Sequence, residues 1–422
     1  MLDITFIKEN PQLVIDSMNN KGEKNAQLVQ RLIDKDEQWR QLVHQIDVLR
    51  AKSNKSAKQI GALMAIGNKE EAQTIIQETS RSKSIIKELE KQLNIIAEKR
   101  RSLLLRIPNV AHISVPIGHS EEYNQVYSTW GTINTQSWLK PHWDILEKQG
   151  WLDFERGVKV TGAGFPFYLG PLAQLQRALI HFFIDEANKV GYVEMQAPYL
   201  INEDSARGTG QIPDKEDMMY EIPRDTFFAI PTAEVPVTNF HRGEILFEEQ
   251  LPLQYVCHTP CWRREAGSYG KDVRGLNRLH QFEKVELVHF VKPDESYETL
   301  ELLREHVESL LQKLGLAYQT LLMCTGDMGF TQSKKYDLEV WSPGQQRWLE
   351  VSSCSNFEAF QARRMQLRYR KDEKVTEMVH TLNGSGLALP RVLSATIETY
   401  QTENGLVRVP DILKRYIDRE YL

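Results

Sequence analysis

Between Leu28 and Leu103 apolar or small residues recur in alternating steps of four and three. The first run is Leu28, Leu32, Lys35, Trp39, Leu42, Ile46, Leu49, Ser53, Ser56, Ile60 and Leu63. The second is Ala72, Ile75, Thr79, Ser82, Ile86, Leu89, Leu93, Ile96, Arg100 and Leu103. A four-three step averages about 3.5 residues, the period of a coiled-coil seam. Gly67-Asn68 is a helix-stop and turn signal between the runs, and Pro108 ends the second. The pattern predicts an antiparallel helical hairpin over about 28–106. Each arm of about 35 residues would be on the order of 50 Å long at about 1.5 Å per residue. Folding about Gly67 sets Ser53 and Ser56 opposite Thr79 and Ser82, so the seam is soft in its outer half.

Charge is segregated onto this segment. Leu28–Arg106 holds 16 Lys and Arg against 10 Asp and Glu, a net of +6, and the rest carries −11 of a total of −5. A total of −5 alone would not suggest a nucleic-acid protein; a basic segment on an acidic body suggests a polyanionic partner. Lys52, Lys55, Lys58, Lys69, Arg81 and Lys83 crowd the tip, against Glu70, Glu71 and Glu78. These six are the candidate contacts. The alternative is a spacer or dimerisation coil, which the bias toward the tip makes the weaker reading.

The remaining composition bounds the class. At 422 residues, 41% apolar and 26% charged, the chain predicts a globular protein of two or three domains. Four cysteines are too few for a disulfide scaffold and fit a reducing compartment. There is no run of 18 apolar residues and no secretory signal in the opening residues, so a cytoplasmic protein without a membrane partner is expected.

Residues 1–27 read as a short amphipathic helix, and 107–127 as a linker. Helices are predicted at Leu172–Val190, at Ser296–Leu314 with Ser296 as N-cap, and at Leu387–Tyr400 opened by Gly384-Ser385-Gly386. Strands are predicted at 191–198, 227–230, 254–258, 285–290, 337–341 and 347–352. Strands and helices in this irregular order predict an α+β fold on an antiparallel sheet. No internal repeat is visible.

No P-loop, H-E-x-x-H or G-x-S-x-G is present. Cys257, His258 and Cys261 lack a second ligand pair, so zinc is not expected. No nucleophile–base pair stands out, so an enzyme of this sequence would act by positioning and electrostatics. The richest stretch is TPCWRREAGS at 259–268, followed by RLHQFEKVE at 278–286. An Arg, a Glu two residues on, a glycine-bearing loop and a returning aromatic strand make a candidate nucleotide clamp. A surface hairpin with exposed ion pairs is the alternative.

WRRE at 262–265 resembles the motif 2 core of class II aminoacyl-tRNA synthetases, and GSGLALPR at 384–391 resembles their motif 3. The segment 172–198 resembles motif 1, the dimer-interface helix and strand. Further stretches resemble the bacterial-type seryl-tRNA synthetase family: IPTAEVP at 230–236, LEVSSCSNF at 349–357 and TLNGSG at 381–386, with the helical arm ahead of them. The resemblance spans essentially the whole chain. It implies residues 1–110 as a tRNA-binding domain and 111–422 as a class II catalytic domain, with motif 2 near 259–290 and motif 3 near 383–400.

The resemblance implies serine activation by ATP and transfer of serine to the 3′ end of tRNA(Ser), and of tRNA(Sec) where one exists. Arg263 would bind the α-phosphate and serine carboxylate, and Arg391 the γ-phosphate. Glu265 would meet the adenine edge and Phe282 stack on it; Arg264, Leu279, Val351 and Ser352 complete the ATP site. Glu350 and Ser353 would hold Mg²⁺. Thr232, Ala233, Glu234, Glu286, Asn383 and Ser385 would surround the serine. The family also implies a homodimer. Arg207, Trp262 and Tyr269 depart from the usual pattern. Two rivals are an amino acid:carrier-protein ligase, which would lack the arm, and a non-catalytic regulator, which would lose Arg263, Glu350 or Arg391.

Overall fold

The computed structural model describes residues 1–265 and 274–422. The motif 2 loop positions Gly267, Ser268 and Tyr269 lie outside the described residues. The chain divides into two compact units, Leu2–Asn19 with Glu23–Pro108, and Met1 with Asn20–Gly22 and Asn109–Leu422. Among the described residues no helix is long and apolar enough to cross a membrane.

The first unit holds α1 (Ile4–Glu9), α2 (Pro11–Asn20), α3 (Gln27–Ala65) and α4 (Lys69–Leu105). The single helix expected before Leu28 is two helices, because Pro11 disfavours helical backbone at Asn10 and has no N–H to continue α1. The hairpin forms as the period predicts. Asn68 caps α4 through its side chain, and Gly67 takes the left-handed conformation between the arms. The predicted seam residues from Leu42 to Leu63, and from Ile75 to Ile96, are half-buried, except Ile46, which is buried. Arg50–Glu90 at 2.8 Å and Arg100–Asp36 at 2.7 Å cross between the arms and set their antiparallel register.

At the base the seam differs from expectation. Asp36, not Lys35, is the buried residue. Its carboxylate accepts from Lys8 at 3.1 Å, Arg40 at 2.8 Å and Arg100 at 2.7 Å. Burial raises the Asp36 carboxyl, but the bonds from these three cations outweigh it and hold the pKa below the usual range.

The second unit is built on an eight-stranded sheet. Its strands are β1 (Gln125–Trp130), β2 (Val193–Met195), β3 (Leu253–Trp262), β4 (Gln281–Val291), β5 (Tyr318–Leu322), β6 (Lys334–Ser342), β7 (Arg347–Asn356) and β8 (His380–Ala388). Their order is β1-β5-β6-β7-β8-β4-β3-β2, antiparallel except for the parallel β2–β3 edge pair. The antiparallel sheet expected from the sequence is therefore present. The predicted strand 227–230 pairs in a small separate sheet.

Three helices cover one core: α5 (Pro171–Lys189), α6 (Ser296–Lys313) and α7 (Leu389–Tyr400). Leu175, Leu179, Phe182, Leu303, Val307, Leu311, Val392 and Leu393 are wholly buried there, each contributing about 1.5–3 kcal/mol. Some boundaries move. Ser296 lies inside α6, and its hydroxyl donates to Pro293 O rather than capping. The strand expected over 191–198 is only Val193–Met195, and the expected linker gives its last residues to β1.

The largest correction is at 384–388, expected as helix opening and found as strand. A Cβ at Gly384 would sit 3.0 Å from the Cys354 sulfur, and one at Gly386 3.0 Å from Leu287. The glycines thus serve close packing of β8 between β7 and β4. Helix α7 starts at Leu389, with Pro390 in its first turn, where a missing N–H costs nothing.

Candidate active site

Alternation along β4 puts Phe282, Lys284 and Glu286 on one face. Phe282 and Lys284 line a cleft of about 340 Å³, and Glu286 lies one step further along the same face. Its walls are Arg263 and Glu265 past the end of β3, Leu279 just before β4, Phe282 and Lys284 at the start of β4, Glu350 to Ser353 of β7, Ser385 of β8 and Arg391 of α7. Ten of the predicted residues therefore meet at one place. A neighbouring cavity of about 440 Å³ shares only Phe282 with them and has no cation in its wall.

Two guanidinium groups dominate. Arg263 lies 5.3 Å above the Phe282 ring, and its Nε donates to Pro231 O at 3.2 Å. Arg391 donates from Nη1 to Glu350 O at 2.8 Å and from Nε to Asn277 O at 3.2 Å. Both side chains are thereby held by backbone carbonyls, leaving further N–H groups of each for an anion. Glu265 leaves β3 in the left-handed conformation, φ 46°, and accepts from Arg278 Nη1 at 3.2 Å. Arg264 does not line the cleft; its side chain is exposed and its backbone N–H donates to Met218 O. Trp262 donates to Gln281 Oε1, and Arg207 is engaged with Glu203 one turn earlier on its own helix.

A polar pocket adjoins the cleft. Thr232 Oγ1 donates to Glu286 Oε2 at 3.2 Å, and Lys284 Nζ lies 2.5 Å from the same oxygen. Glu286 is in register with Ser385 across β4–β8. Glu234 Oε1 accepts from Gln361 Nε2 at 2.7 Å. Burial lifts the Glu234 carboxyl above its usual range and Glu286 adds to this, opposed by the Gln361 bond and by Lys284 and Lys215. Asn383 is buried, and its Nδ2 has no protein partner, as a group awaiting an acceptor would. Ala233 is buried beside Thr232.

Glu350 and Ser353 offer a carboxylate and a hydroxyl, hard donors of the type Mg²⁺ takes. Among the described residues no cluster of three or more His, Cys, Asp or Glu could hold a metal, so the other ligands of such an ion would come from phosphate and water. Desolvation would raise the Glu350 carboxyl, but Lys335, Arg391, Arg263 and Lys284 outweigh it and keep the pKa below the usual range.

Several residues of the site were not foreseen. Asp337 pairs in register with Ser353, lies 2.8 Å from Lys335 and is buried. Burial pushes its carboxyl up to about 7 against the pull of Lys335. The period of two through Phe282 and Glu286 would have found Lys284. Nothing local marks Gln361, Lys335 or Asp337.

Comparison with known proteins follows the same lines. The family model "Seryl-tRNA synthetase N-terminal domain" matches residues 1–111, and "tRNA synthetase class II core domain (G, H, P, S and T)" matches 220–400. A serine–tRNA ligase of Salinibacter ruber is 53% identical over 418 residues, 99% of this chain and 98% of its own. The crystal structure of seryl-tRNA synthetase from Pyrococcus horikoshii complexed with ATP superposes with a TM-score of 0.94 at 35% identity, covering 100% and 99% of the two chains. The cytoplasmic serine–tRNA ligase of Naegleria fowleri in complex with AMP gives 0.86 at 27%, covering 100% and 98%.

Proposed function

The chain belongs to the seryl-tRNA synthetase family and is a serine–tRNA ligase, and from that premise we propose how its residues carry the reaction. ATP and L-serine bind side by side, and the serine carboxylate attacks the α-phosphate in line. The nucleophile is already ionised, so alignment and charge neutralisation are what the protein supplies. Arg263 bridges the α-phosphate and the carboxylate. Arg391 takes the γ-phosphate end. Phe282 stacks on adenine, Glu265 accepts from its edge, and Leu279, Val351 and Ser352 line the remaining wall. Glu350 and Ser353 would hold Mg²⁺, which when bound would neutralise phosphate charge.

Glu234, Glu286, Thr232, Asn383 and Ser385 surround the amino acid. A carboxylate suits the ammonium and a second acceptor the hydroxyl. A site built to bond a hydroxyl rejects alanine, whose methyl would leave those groups unpaired. The observation that supports this assignment best is that Arg263 and Arg391 face one cleft beside the Thr232–Glu286–Lys284 cluster.

Residues 1–110 form the tRNA-binding domain and 111–422 the catalytic one. Lys52, Lys55, Lys58, Lys69, Arg81 and Lys83, all exposed, meet tRNA phosphates. The protein acts as a homodimer through 172–198, and its four buried, unpaired cysteines suit the cytoplasm. ATP–pyrophosphate exchange with each of the twenty amino acids tests the reading. Serine alone supports exchange, and Arg263→Ala abolishes it while circular dichroism is unchanged. Exchange driven by another amino acid, or surviving in Arg263→Ala, refutes the assignment.

A further inference from the structure

A buried polar network ties the two halves of the ATP site together from behind. His142 opens the helix His142–Gln149, and Glu398 lies on α7 two turns beyond Arg391; neither is exposed to solvent. Glu398 Oε1 accepts from the His142 backbone N–H at 2.9 Å and from the ring Nδ1 at 2.8 Å. Glu398 Oε2 accepts from the Ser342 hydroxyl and from Gly344 N at 3.0 Å. The other ring nitrogen, His142 Nε2, accepts from Leu276 N–H at 2.9 Å. A backbone N–H can only donate, so Nε2 is bare and Nδ1 carries the proton given to Glu398.

Leu276 and Asn277 line the ATP cleft on the limb that returns from the motif 2 loop. Asn277 O accepts from Arg391 Nε at 3.2 Å, and Asn277 Nδ2 donates to Gln345 at 2.9 Å. Gly275 lets this limb come down onto the ring. Its φ is +63°, and a Cβ there would stand 2.3 Å from His142 Nε2. The limb, the imidazole and α7 are thus in direct sequence, and the far end of that sequence is the Arg391 guanidinium.

We infer that His142 is a positioning residue for adenylate formation: its bare Nε2, approached only because residue 275 is glycine, seats Leu276–Asn277 and through Asn277 O aims Arg391 at the triphosphate. The inference rests on the proposed role of Arg391, and Arg391→Ala is therefore the control. Gln at 142 places an acceptor where Nε2 stands, whereas Asn offers only a donor near Nδ1. Serine-dependent ATP–pyrophosphate exchange in the full-length enzyme separates them. His142→Asn raises KM for ATP about tenfold, the usual worth of one buried hydrogen bond, and leaves KM for serine unchanged. His142→Gln restores most of the ATP affinity. Gly275→Ala, which leaves His142 in place, reproduces the ATP defect and carries the test if His142→Asn does not fold. A Gln variant as impaired as the Asn variant, a normal KM for ATP in Gly275→Ala, or an equal rise in KM for serine overturns the inference. An unchanged KM for ATP in Arg391→Ala would instead overturn the role given to Arg391.

Discussion

Two buried histidines should make this protein acid-sensitive by a calculable amount. Tyr192 Oη lies 2.6 Å from His289 Nε2, and the Tyr192 ring is 5.6 Å from that of His306 on α6. Burial, with His306 nearby, lowers the His289 pKa to about 3. Burial and Lys313, against Glu186, lower His306 to about 4. Both are neutral in the folded chain and titrate near 6.5 once unfolded. Below pH 6.5 the unfolded state takes up protons that the folded state refuses, so stability falls as pH falls, down to the folded pKa values. From pH 7 to pH 5 the loss is about 2 kcal/mol for each histidine, about 4 kcal/mol together. Urea unfolding at fixed protein concentration measures it. The double variant His289→Gln/His306→Gln should lose about 4 kcal/mol less than the parent over that interval. Parallel pH profiles for parent and variant would show that neither imidazole is held neutral by the fold.

Replacing Lys52, Lys55 and Lys58 by Gln should weaken tRNA binding and lower the slope of log affinity against log salt by about 2–3, at roughly 0.7–0.9 per phosphate contact; an unchanged slope assigns those lysines no phosphate. Gln361→Leu should raise KM for serine about tenfold, because Glu234 loses its 2.7 Å donor, with KM for ATP as the internal control. Excising about Ser53–Ser82 and rejoining the cut ends with a short turn should spare pyrophosphate exchange and cripple tRNA charging; a normal KM for tRNA would make the arm a spacer. Sedimentation should give a dimer of the 48.9 kDa chain, and a fully active monomer would exclude one.

What could be read in the sequence depended on how far each side chain reaches for its partner. The hairpin was written in a local period that needs no knowledge of the rest of the chain. It failed at Lys35 for a non-local reason. Asp36 can be buried only because Lys8, from another helix, and Arg100, from the far arm, converge on it. That Arg263, Glu265 and Phe282 would share one cleft could be read locally, because they lie at the facing ends of the paired strands β3 and β4. Arg391, Glu350 and the polar group around Thr232 and Glu286 came through the family resemblance, since their neighbours lie on other strands. His142 and Glu398 are 256 residues apart, and Gln361 and Glu234 are 127 apart. No spacing rule connects such pairs. The glycines at 384 and 386 were misread as a helix opening because the atoms they make room for belong to Cys354 and Leu287, on the two neighbouring strands.

One strand face presents Phe282, Lys284 and Glu286; β3 pairs with that strand in unbroken register, and β8 pairs with it on the other side with one shift between Lys284 and Glu286. Side chains alternate across a strand, so a single-residue insertion or deletion upstream within β4 would turn an affected group to the opposite face. The Phe282 ring, the buried Lys284 cation and the buried Glu286 carboxylate could then be lost from this face in one step, with no partial form between. Variation in this region is therefore confined to exchanging one side chain for another at constant length. Changes of length must fall outside β4 and the two strands that pair with it.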